Sequence, residues 1–318
     1  LNPKVLILFE ISESSLYLIE QELISLNINS VDIFAVLGSV RDENRMKKII
    51  HHYGVQTIYH AAAYKHVPLV EHNPAEGVLN NCMGTLAAAE AAIAEKVETF
   101  VLISTDKAVR PTSTMGATKR VAELTLQALS KEKHDTCFTM VRFGNVLDSS
   151  GSVIPLFKKQ IKANGPVTVT HPDMVRYFMT IPEAVQLVIQ AGAMGQGGDV
   201  FVLNMGKPVK IYDLAKKMIH LSGLQVLDKS NPNGDIEIIF TGLRPGEKLF
   251  EELLVGNNVV NTKNKLIMRA SEEMIEWEAL QPILNALRIA APSGDLKKIR
   301  DLLIKLVPEF KPQHPISD

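Results

Sequence analysis

Residues 99–120, TFVLISTDKAVRPTSTMGATKR, contain a strand, a polar turn and the start of a helix in direct succession. The apolar run 99–104 predicts a buried strand. A Ser or Thr within 112–114 is the expected N-cap of the helix, because its side-chain oxygen would accept a free backbone N–H of the first turn. A strand that leads through a turn into a helix is half of a β-α-β unit, so this stretch predicts a parallel sheet.

The same alternation runs through the first half of the chain. Further strands are predicted at 4–9, 31–37, 57–60 and 137–142, and helices at 13–26, 41–52, 74–95 and 113–131. Buried β-branched runs separated by helices indicate the α/β class, with a doubly wound parallel sheet covered on both faces. Because ligands of such sheets bind outside the carboxyl ends of the strands, we expect the functional site there.

The second half is less regular and suggests a smaller C-terminal domain. Its predicted helices lie at 153–164, 181–193, 211–221, 272–290 and 293–306, and its strands at 167–169, 199–204 and 236–240. We expect residues 1–150 to form a dinucleotide-binding domain to which 180–205 returns. Residues 151–318 are expected mainly to bind the substrate.

Composition excludes several classes of protein. A formal net charge of -1 argues against a nucleic-acid partner, which needs a basic surface. The two cysteines lie far apart and are interpreted as buried thiols, and no metal site is predicted. No apolar run approaches the ~20 residues that span a bilayer, so this stretch is expected to be soluble. The chain opens at Leu1 on a strand-like run with no GxGxxG before residue 10, which we interpret as truncation of a longer polypeptide rather than loss of a cofactor.

Small or polar residues follow the predicted strands and are candidate cofactor contacts. Glu10 ends the first strand, where an acid would hydrogen-bond the adenine-ribose hydroxyls and repel a 2′-phosphate, favouring NAD over NADP. Ser12 and Ser14 would instead leave room for that phosphate, so NADP stays an alternative. A buried Asn in the helical stretch 74–95 must be hydrogen-bonded, here to the backbone near the active-site strand. With Glu10, the cofactor candidates are Ser39, Val40, Ala61, Ala62, Ala63, Asn81 and Lys119.

Charged and polar residues from both halves are candidate substrate contacts. Arginine suits a diphosphate because its planar fork binds two oxygens at once. Hydroxyl and amide groups at the start of the helix near 153 would also suit a phosphate. Each residue alone could equally be a solvated surface group, but together they favour a nucleotide-diphosphate substrate. The candidates are Lys65, His66, Asn145, Ser152, Arg176, Arg244 and Glu247.

The helix within 99–120 carries an unusual pair of side chains. Met115 and Lys119 are four residues apart and face the same side, where a familiar redox scaffold places Tyr and Lys. A thioether cannot donate or accept a proton as a phenol does. Either the site is inactive, or the acid–base chemistry has moved to Asp106 and Lys107. Desolvation would lower the pKa of Lys107 and make it a base, and a protonated Asp106 would be the acid.

Four segments of the sequence resemble one known family of enzymes. They are HAAAYKHVPLVEHNP (60–74), LISTDKAVRPTSTMGATKR (102–120), RFGNVLDSSGSVIP (142–155) and LRPGEKLFEELL (243–254). The chain resembles the extended short-chain dehydrogenase/reductases, and specifically the bacterial UDP-N-acetylglucosamine 4,6-dehydratases. The long, membrane-anchored members are most similar, since they too carry Met in place of Tyr.

The resemblance implies a Rossmann-like fold and a complete reaction. Nicotinamide would take a hydride from C4 of the sugar, Lys107 would remove the C5 proton, and Asp106 would protonate the departing C6 hydroxyl. Lys119 would reach the nicotinamide ribose. Related hexose dehydratases have Asp-Glu where this chain has Asp-Lys. The base for the C4 hydroxyl is open, with Thr105 or Thr114 as candidates relaying through Asp106 or water.

The resemblance also implies a cellular setting and leaves two alternatives. The intact protein would serve bacterial surface polysaccharide or glycan synthesis from the cytoplasmic face of the inner membrane, anchored by N-terminal helices absent here. A homo-oligomer is expected, with 74–95 and 113–131 as its interface by analogy. The alternatives are a nucleotide-sugar epimerase on the same fold and a non-catalytic nucleotide sensor.

Overall fold

The chain alternates between strands and helices around a mostly parallel sheet. The computed structural model describes residues 3–28, 30–149, 151–252 and 259–312. The strands are β1 (Val5–Glu10), β2 (Asp32–Leu37), β3 (Thr57–His60), β4 (Thr99–Ile103), β5 (Cys137–Arg142), β6 (Asn145–Val146), β7 (Val167–Val169), β8 (Val175–Arg176), β9 (Phe178–Met179), β10 (Asp199–Leu203), β11 (Val209–Lys210), β12 (Val226–Leu227), β13 (Ile236–Phe240), β14 (Val259–Asn261) and β15 (Ile267–Ala270). The helices are α1 (Glu13–Ser25), α2 (Glu43–Tyr53), α3 (Val67–His72), α4 (Pro74–Gly77), α5 (Gly84–Ala94), α6 (Thr114–Leu129), α7 (Val153–Lys162), α8 (Ile181–Met194), α9 (Ile211–Leu221), α10 (Trp277–Ser293) and α11 (Leu296–Leu306).

The main sheet has the strand order β14-β15-β10-β5-β4-β3. Its four strands β3, β4, β5 and β10 run parallel, β15 pairs antiparallel with β10, and β14 pairs antiparallel with β15 at the edge. The strands β1 and β2 pair parallel as a separate two-stranded sheet. The predicted α/β class with a central, mostly parallel sheet is therefore confirmed.

Strand β4 shows how the sequence buries both faces of this sheet. Phe100 and Leu102 pack into a core with α5, α6, α10 and α11, whereas Val101 between them packs into a core with α8. All three side chains are fully buried, as the alternation of side chains along a strand requires when helices cover both faces. The carboxyl end of β4 thus emerges between two fixed helical layers.

The helix predicted at 74–95 is interrupted. The short α4 passes into a π-helical segment, Val78–Met83, before α5 begins at Gly84. The wider turn brings Asn81 inward, where its side chain both accepts from the Tyr64 N–H (2.8 Å) and donates to the Tyr64 carbonyl (3.0 Å). Its Nδ2 also donates to Thr118 Oγ1 of α6 (3.0 Å). The expected hydrogen bonding of Asn81 to backbone beside the site is confirmed.

A separate apolar cluster forms in the second half. It joins α7 and α9 to the strands β7, β12 and β13. The helices α10 and α11 do not belong to it, because Leu284 and Leu303 pack into the core under the main sheet. Residues 180–205 were expected to return to the dinucleotide-binding domain. Within this range α8 packs on the main sheet and β10 pairs with β5 in it. The division into two domains stays a prediction. Among the described helices, none combines the length and apolar character needed to cross a bilayer.

Candidate active site

A cavity of about 500 Å³ opens where β4 and β5 end. That volume falls within the usual range for small-molecule sites. Residues from both halves of the chain surround it, as expected for the carboxyl edge of a doubly wound sheet. The candidate residues that line it are Ala61, Ala63, Lys65, His66, Thr105, Asp106, Lys107, Met115, Lys119, Asn145, Ser152, Arg176, Arg244 and Glu247.

Helix α6 presents Met115 and Lys119 to this cavity. Ser113 caps the helix through its Oγ, which accepts the Gly116 N–H at 3.2 Å, within the range 112–114 expected from the sequence. Met115 and Lys119 are 3% and 5% exposed. The Lys119 ammonium donates to the Ile103 carbonyl at 2.7 Å, which fixes it beside the end of β4. Burial lowers the pKa of Lys119 to about 8.

A turn of 3₁₀ helix, Asp106–Ala108, carries the acid–base pair. Thr105 caps this turn, and its hydroxyl donates to Asp106 Oδ1 at 2.9 Å. The Lys107 ammonium uses three acceptors: Asp106 Oδ1 at 3.0 Å, Asn145 Oδ1 at 3.3 Å and Glu251 Oε1 at 2.8 Å. Since an ammonium has three N–H donors, the protein alone satisfies all of them.

These contacts decide the charges of the pair. Burial alone would lower the pKa of Lys107, but the carboxylates of Asp106 and Glu251 outweigh it and raise the pKa above its ordinary value. Burial would likewise raise the pKa of Asp106, yet Lys107 and a hydrogen bond from Glu251 bring it below the ordinary value. The expectation that desolvation makes Lys107 a neutral base and leaves Asp106 protonated is therefore wrong for the resting site. The cause is that burial here comes together with opposite charges.

Glu251 is the residue that sequence reasoning missed. It lies in the described stretch after the LRPGEK motif and is 9% exposed. Its Oε1 accepts from Lys107 and from Arg176 Nε (3.1 Å). Burial and the neighbouring Asp106 raise the pKa of Glu251 to about 7, although Lys107 and Arg176 act in the opposite direction. Its motif, LFEELL, was part of the family resemblance, so the signal was present in the sequence without a role attached.

Arg176 is engaged by the protein on all of its donors. Its Nη1 donates to the carbonyls of Val175 and Leu249, and its Nη2 donates to the carbonyl of Lys248. The remaining N–H groups face the carboxylates of Glu251 and Glu247. A guanidinium has five donors, so Arg176 holds the 247–251 segment against the cavity. Its expected contact with substrate stays a prediction.

The remaining substrate candidates are placed at the cavity wall. Burial lowers the pKa of Lys65 and of His66. Ser152 precedes α7, and its Oγ is buried without a partner among the residues that the structure describes. Arg244 and Glu247 are joined through a hydrogen bond from the Arg244 backbone to the Glu247 carboxylate at 3.2 Å. Their binding roles stay predictions.

Several cofactor candidates lie outside the cavity lining. Glu10 ends β1, as expected, and accepts the Ser12 N–H at 2.8 Å. Ser39 Oγ accepts the Arg41 N–H at 3.2 Å, and Val40 is buried under Gly84. Ala62 packs against the main core and Asn81 binds backbone. These positions surround the strand ends of β1, β2 and β3 rather than the cavity itself.

Fold and site together define the class of protein. A mostly parallel sheet of strands and helices with a cavity at the carboxyl ends of its strands is the arrangement of the Rossmann-type nucleotide-binding enzymes. Residues 1–272 match the family described as "Polysaccharide biosynthesis protein". The chain belongs to this polysaccharide biosynthesis family.

The chain is similar to curated proteins of two descriptions. The capsular polysaccharide biosynthesis protein CapD of Staphylococcus aureus is 54% identical over 258 residues, which are 81% of this chain and 42% of CapD. A UDP-glucose 4-epimerase of Rickettsia rickettsii is 35% identical over 74% of this chain and 66% of its own length. The chain thus spans less than half the length of CapD.

Two solved structures support the fold. Pen from Bacillus thuringiensis has a TM-score of 0.75 and 35% identity, covering 86% of this chain and 83% of Pen. The dTDP-glucose 4,6-dehydratase DesIV of Streptomyces venezuelae, solved with NAD bound, has a TM-score of 0.64 and 17% identity over 88% of this chain and 86% of that chain. At that identity DesIV supports the Rossmann-type fold alone.

Proposed function

We propose that this chain catalyses the 4,6-dehydration of UDP-N-acetylglucosamine to the 4-keto-6-deoxy sugar. The observation that carries the proposal is the hydrogen-bonded group of the buried Asp106 and Glu251 with the partly buried Lys107, beside Met115 in one cavity. Loss of water across C5 and C6 needs a base for the C5 proton and an acid for the C6 hydroxyl. This cavity supplies an amine and two carboxyl groups within hydrogen-bond reach of one another.

The residues present fit a nicotinamide cofactor, for which we propose NAD. Ala61 and Ala63 give a wall without large side chains at the end of β3, and Lys119 holds a buried ammonium beside the end of β4. A positive charge there suits the ribose and phosphates of a nucleotide. When bound, NAD would accept a hydride from C4 of the sugar and return it at C6. Glu10 at the end of β1 supports NAD over NADP through the ribose hydroxyls.

In the proposed reaction the side chains divide the proton transfers. Oxidation at C4 makes the C5 proton acidic, and Lys107 removes it once its amine is neutral. Asp106 donates a proton to the C6 hydroxyl, which leaves as water, and Lys107 would return the proton to C5 when C6 takes up the hydride. We propose that Thr105 relays the C4 hydroxyl proton to Asp106, which is supported by the hydrogen bond that its hydroxyl donates to Asp106 Oδ1.

Three side chains in the cavity wall support a nucleotide-diphosphate substrate. The buried Ser152 hydroxyl, unpartnered in the described part of the chain, lies at the start of α7, where backbone N–H groups are also available. Lys65 and Arg244 add positive charge to the same wall. The family membership supports a role in polysaccharide synthesis, and we propose that the protein acts at the cytoplasmic face of the bacterial membrane as a homo-oligomer.

A nucleotide-sugar 4-epimerase is the second candidate, favoured by the 35% identity to the Rickettsia enzyme. A 4-epimerase must remove the C4 hydroxyl proton and the C4 hydride and return both, the hydride to the opposite face of the sugar, but it needs no acid for the C6 hydroxyl. Met115 removes the phenol that would serve at C4, whereas Asp106 and Lys107 supply the groups that water loss needs. The site therefore supports dehydration better than epimerisation.

Proton NMR of the NAD-loaded enzyme with UDP-N-acetylglucosamine tests the proposal. A dehydratase yields a new C6 methyl signal, whereas an epimerase yields only a C4 epimer without it. Lys107→Ala is expected to lower product formation by about 10²–10⁴-fold, the usual contribution of a general base. Lys158→Ala is the matched control, because Lys158 pairs with Asp148 at the surface. If the wild-type enzyme gives no methyl signal although NAD is verified as bound, the proposed function is contradicted. If the protein is instead a sensor, Lys107→Ala should still bind the nucleotide sugar normally.

A further inference from the structure

We propose that Glu251 is a positioning residue that fixes the amine of Lys107 in the cavity by joining it to Arg176 in the second half of the chain. The inference rests on the proposed dehydration, in which Lys107 is the base, and adds a residue that acts through that base. Direct contacts carry it, because Glu251 Oε1 lies 2.8 Å from Lys107 Nζ and 3.1 Å from Arg176 Nε.

The side chain of Lys107 needs a contact from outside its own turn, because a lysine amine sits on a flexible four-carbon stem. Asp106 precedes Lys107 in the same 3₁₀ turn, so their contact at 3.0 Å does not fix the amine relative to the opposite wall of the cavity. Asn145 Oδ1 in β6 is more distant, at 3.3 Å. Among the described residues, Glu251 thus supplies the shortest contact to Nζ and the one that comes from the second half of the chain.

Glu251 is itself held in place. Its side chain is 4% exposed, and that of Arg176 is 10% exposed. The same guanidinium donates to the carbonyls of Leu249 and Lys248, two and three residues before Glu251. The Val175 N–H also donates to the Leu249 carbonyl, at 3.3 Å. Because one planar group binds both the backbone and the carboxylate, Glu251 is a fixed point to which the lysine amine is tied.

The backbone around Glu251 is joined to the acid–base turn at other points as well. Thr112 Oγ1 donates to the Gly246 carbonyl at 3.3 Å, and Lys248 Nζ donates to the Val109 carbonyl at 3.1 Å. These hydrogen bonds do not involve the Glu251 side chain. Loss of the Glu251 carboxylate should therefore release the lysine amine while the two stretches of backbone stay together.

Glu251 also contributes to the charge of Lys107. The charged groups around this amine are Asp106 on its own turn, Glu251 and Lys248 on the following segment, and Arg176 in β8. Although burial favours the neutral amine, the carboxylates of Asp106 and Glu251 raise the pKa of Lys107 above its ordinary value. A base must be neutral before it accepts the C5 proton, so the rate should rise with pH through this pKa. Removal of the Glu251 charge should move that rise to lower pH.

Two substitutions separate position from charge. Glu251→Gln keeps an oxygen that accepts from Lys107 and from Arg176 but carries no charge. Glu251→Leu keeps an extended side chain without any acceptor. If Glu251 only filled space in the cavity wall, the two variants would behave alike. If it positions the base, Gln should restore most of the activity that Leu loses.

The first test measures turnover of the NAD-loaded enzyme against pH. For Glu251→Leu we expect the turnover number to fall about 10²-fold at all pH values with KM changed less than about 3-fold, since a displacement near 1 Å has this effect. For Glu251→Gln we expect a maximal turnover within about 10-fold of wild type, reached at lower pH. Glu43→Gln is the matched control, because it removes a half-exposed Glu–Lys pair in α2 and should change neither quantity.

A second measurement reports on Lys107 without turnover. Acetic anhydride reacts with the neutral amine, so acetylation of Lys107 is followed against pH by mass spectrometry of its peptide, with the exposed Lys158 as internal reference. In Glu251→Gln this acetylation should begin at lower pH than in wild type.

The inference is overturned if Gln leaves the acetylation profile of Lys107 unchanged, if Leu keeps wild-type turnover, or if Gln loses as much turnover as Leu. If wild type forms no methyl product but Gln shifts the acetylation of Lys107, the proposed dehydration fails while the link from Glu251 to Lys107 is supported. If the Leu variant does not fold, the acetylation and pH profiles of Gln decide.

Discussion

The closest approach between α6 and the acid–base turn predicts the effect of Gly116→Ala. A Cβ built on Gly116 would lie 2.2 Å from the Lys107 carbonyl oxygen and 3.1 Å from both the Lys107 carbonyl carbon and Pro111 Cβ. The nearest atom is backbone, so no side-chain rotation relieves the contact. The turn must move by about 0.8 Å merely to reach the 3.0 Å below which Cβ contacts are essentially never observed.

Two opposing terms set the stability of this variant. Replacing Gly by Ala inside a helix favours folding by about 1 kcal/mol. Overpacking a buried site costs about 1–3 kcal/mol. We expect a net loss of about 0–2 kcal/mol, which corresponds to a decrease in Tm of up to roughly 3 °C for a chain of this size, because the entropy of unfolding is about 2.1 cal/mol/K per residue.

Activity should suffer more than stability. A displacement near 1 Å at reacting groups lowers rates by about 10²-fold, and the displaced turn carries Asp106 and Lys107. Turnover is followed by the C6 methyl signal and stability by thermal unfolding. Gly192→Ala in α8 is the control, since its Cβ would meet the Val101 methyl at 2.8 Å, away from the cavity. It should lower Tm with turnover within about 3-fold. A Gly116→Ala enzyme with normal turnover would refute the link between α6 packing and the position of Lys107.

Two further changes test the frame around the site. Glu123 is fully buried and forms an ion pair with Arg142. Burial alone would raise the pKa of Glu123, but Arg142 lowers it to about 2. The ionised Glu123 therefore stabilises the fold above the ordinary pKa of 4.5, and this stabilisation is lost as pH falls towards 2. Glu123→Gln should therefore cost about 3–5 kcal/mol at pH 7 and flatten the acid dependence, measured by urea unfolding at pH 7 and pH 3, and an unchanged acid limb would contradict this. Asn81→Ala should lower the free energy of unfolding by about 2–3 kcal/mol, because it leaves the Tyr64 N–H and carbonyl unpaired. The control Asn73→Ala, at an exposed position, should cost under about 1 kcal/mol. Equal losses would show that the hydrogen bonds of Asn81 do not hold the backbone at Tyr64 in place.

The parallel strands of the main sheet were predicted closely, whereas β6, β8, β9, β11, β12, β14 and β15 were not predicted. The segment 137–142 was predicted at the bounds that β5 has, and the prediction for β4 extends one residue beyond Ile103. A strand that is buried on both faces of a sheet must be apolar along its whole length, so an apolar run between two helices strongly predicts such a strand. Strand ends then bring Asp106 and Lys107 together with Met115 and Lys119, which is why these four candidates line one cavity.

The parts that sequence could not supply depend on distant partners. The charges of Asp106 and Lys107 depend on Glu251, more than 140 residues further along the chain, and no local spacing reports that contact. From its sequence Arg176 was expected to bind a diphosphate, but in the structure its donors face three backbone carbonyls and the carboxylates of Glu247 and Glu251. The π-helical segment was predicted as ordinary helix, since one extra residue in a turn leaves the apolar pattern nearly unchanged.

Because of the π-helical segment Val78–Met83, the number of residues here sets the direction in which Asn81 and α5 face. A π turn holds one more residue than the α-helical turn it replaces, and each residue rotates a helix by about 100°. Deleting one residue would restore a regular helix that is better hydrogen-bonded locally. It would also turn Asn81 away from Tyr64 or rotate α5 off the sheet. Variants that shorten this segment should therefore be rarer than substitutions within it, even where the substitutions replace buried side chains.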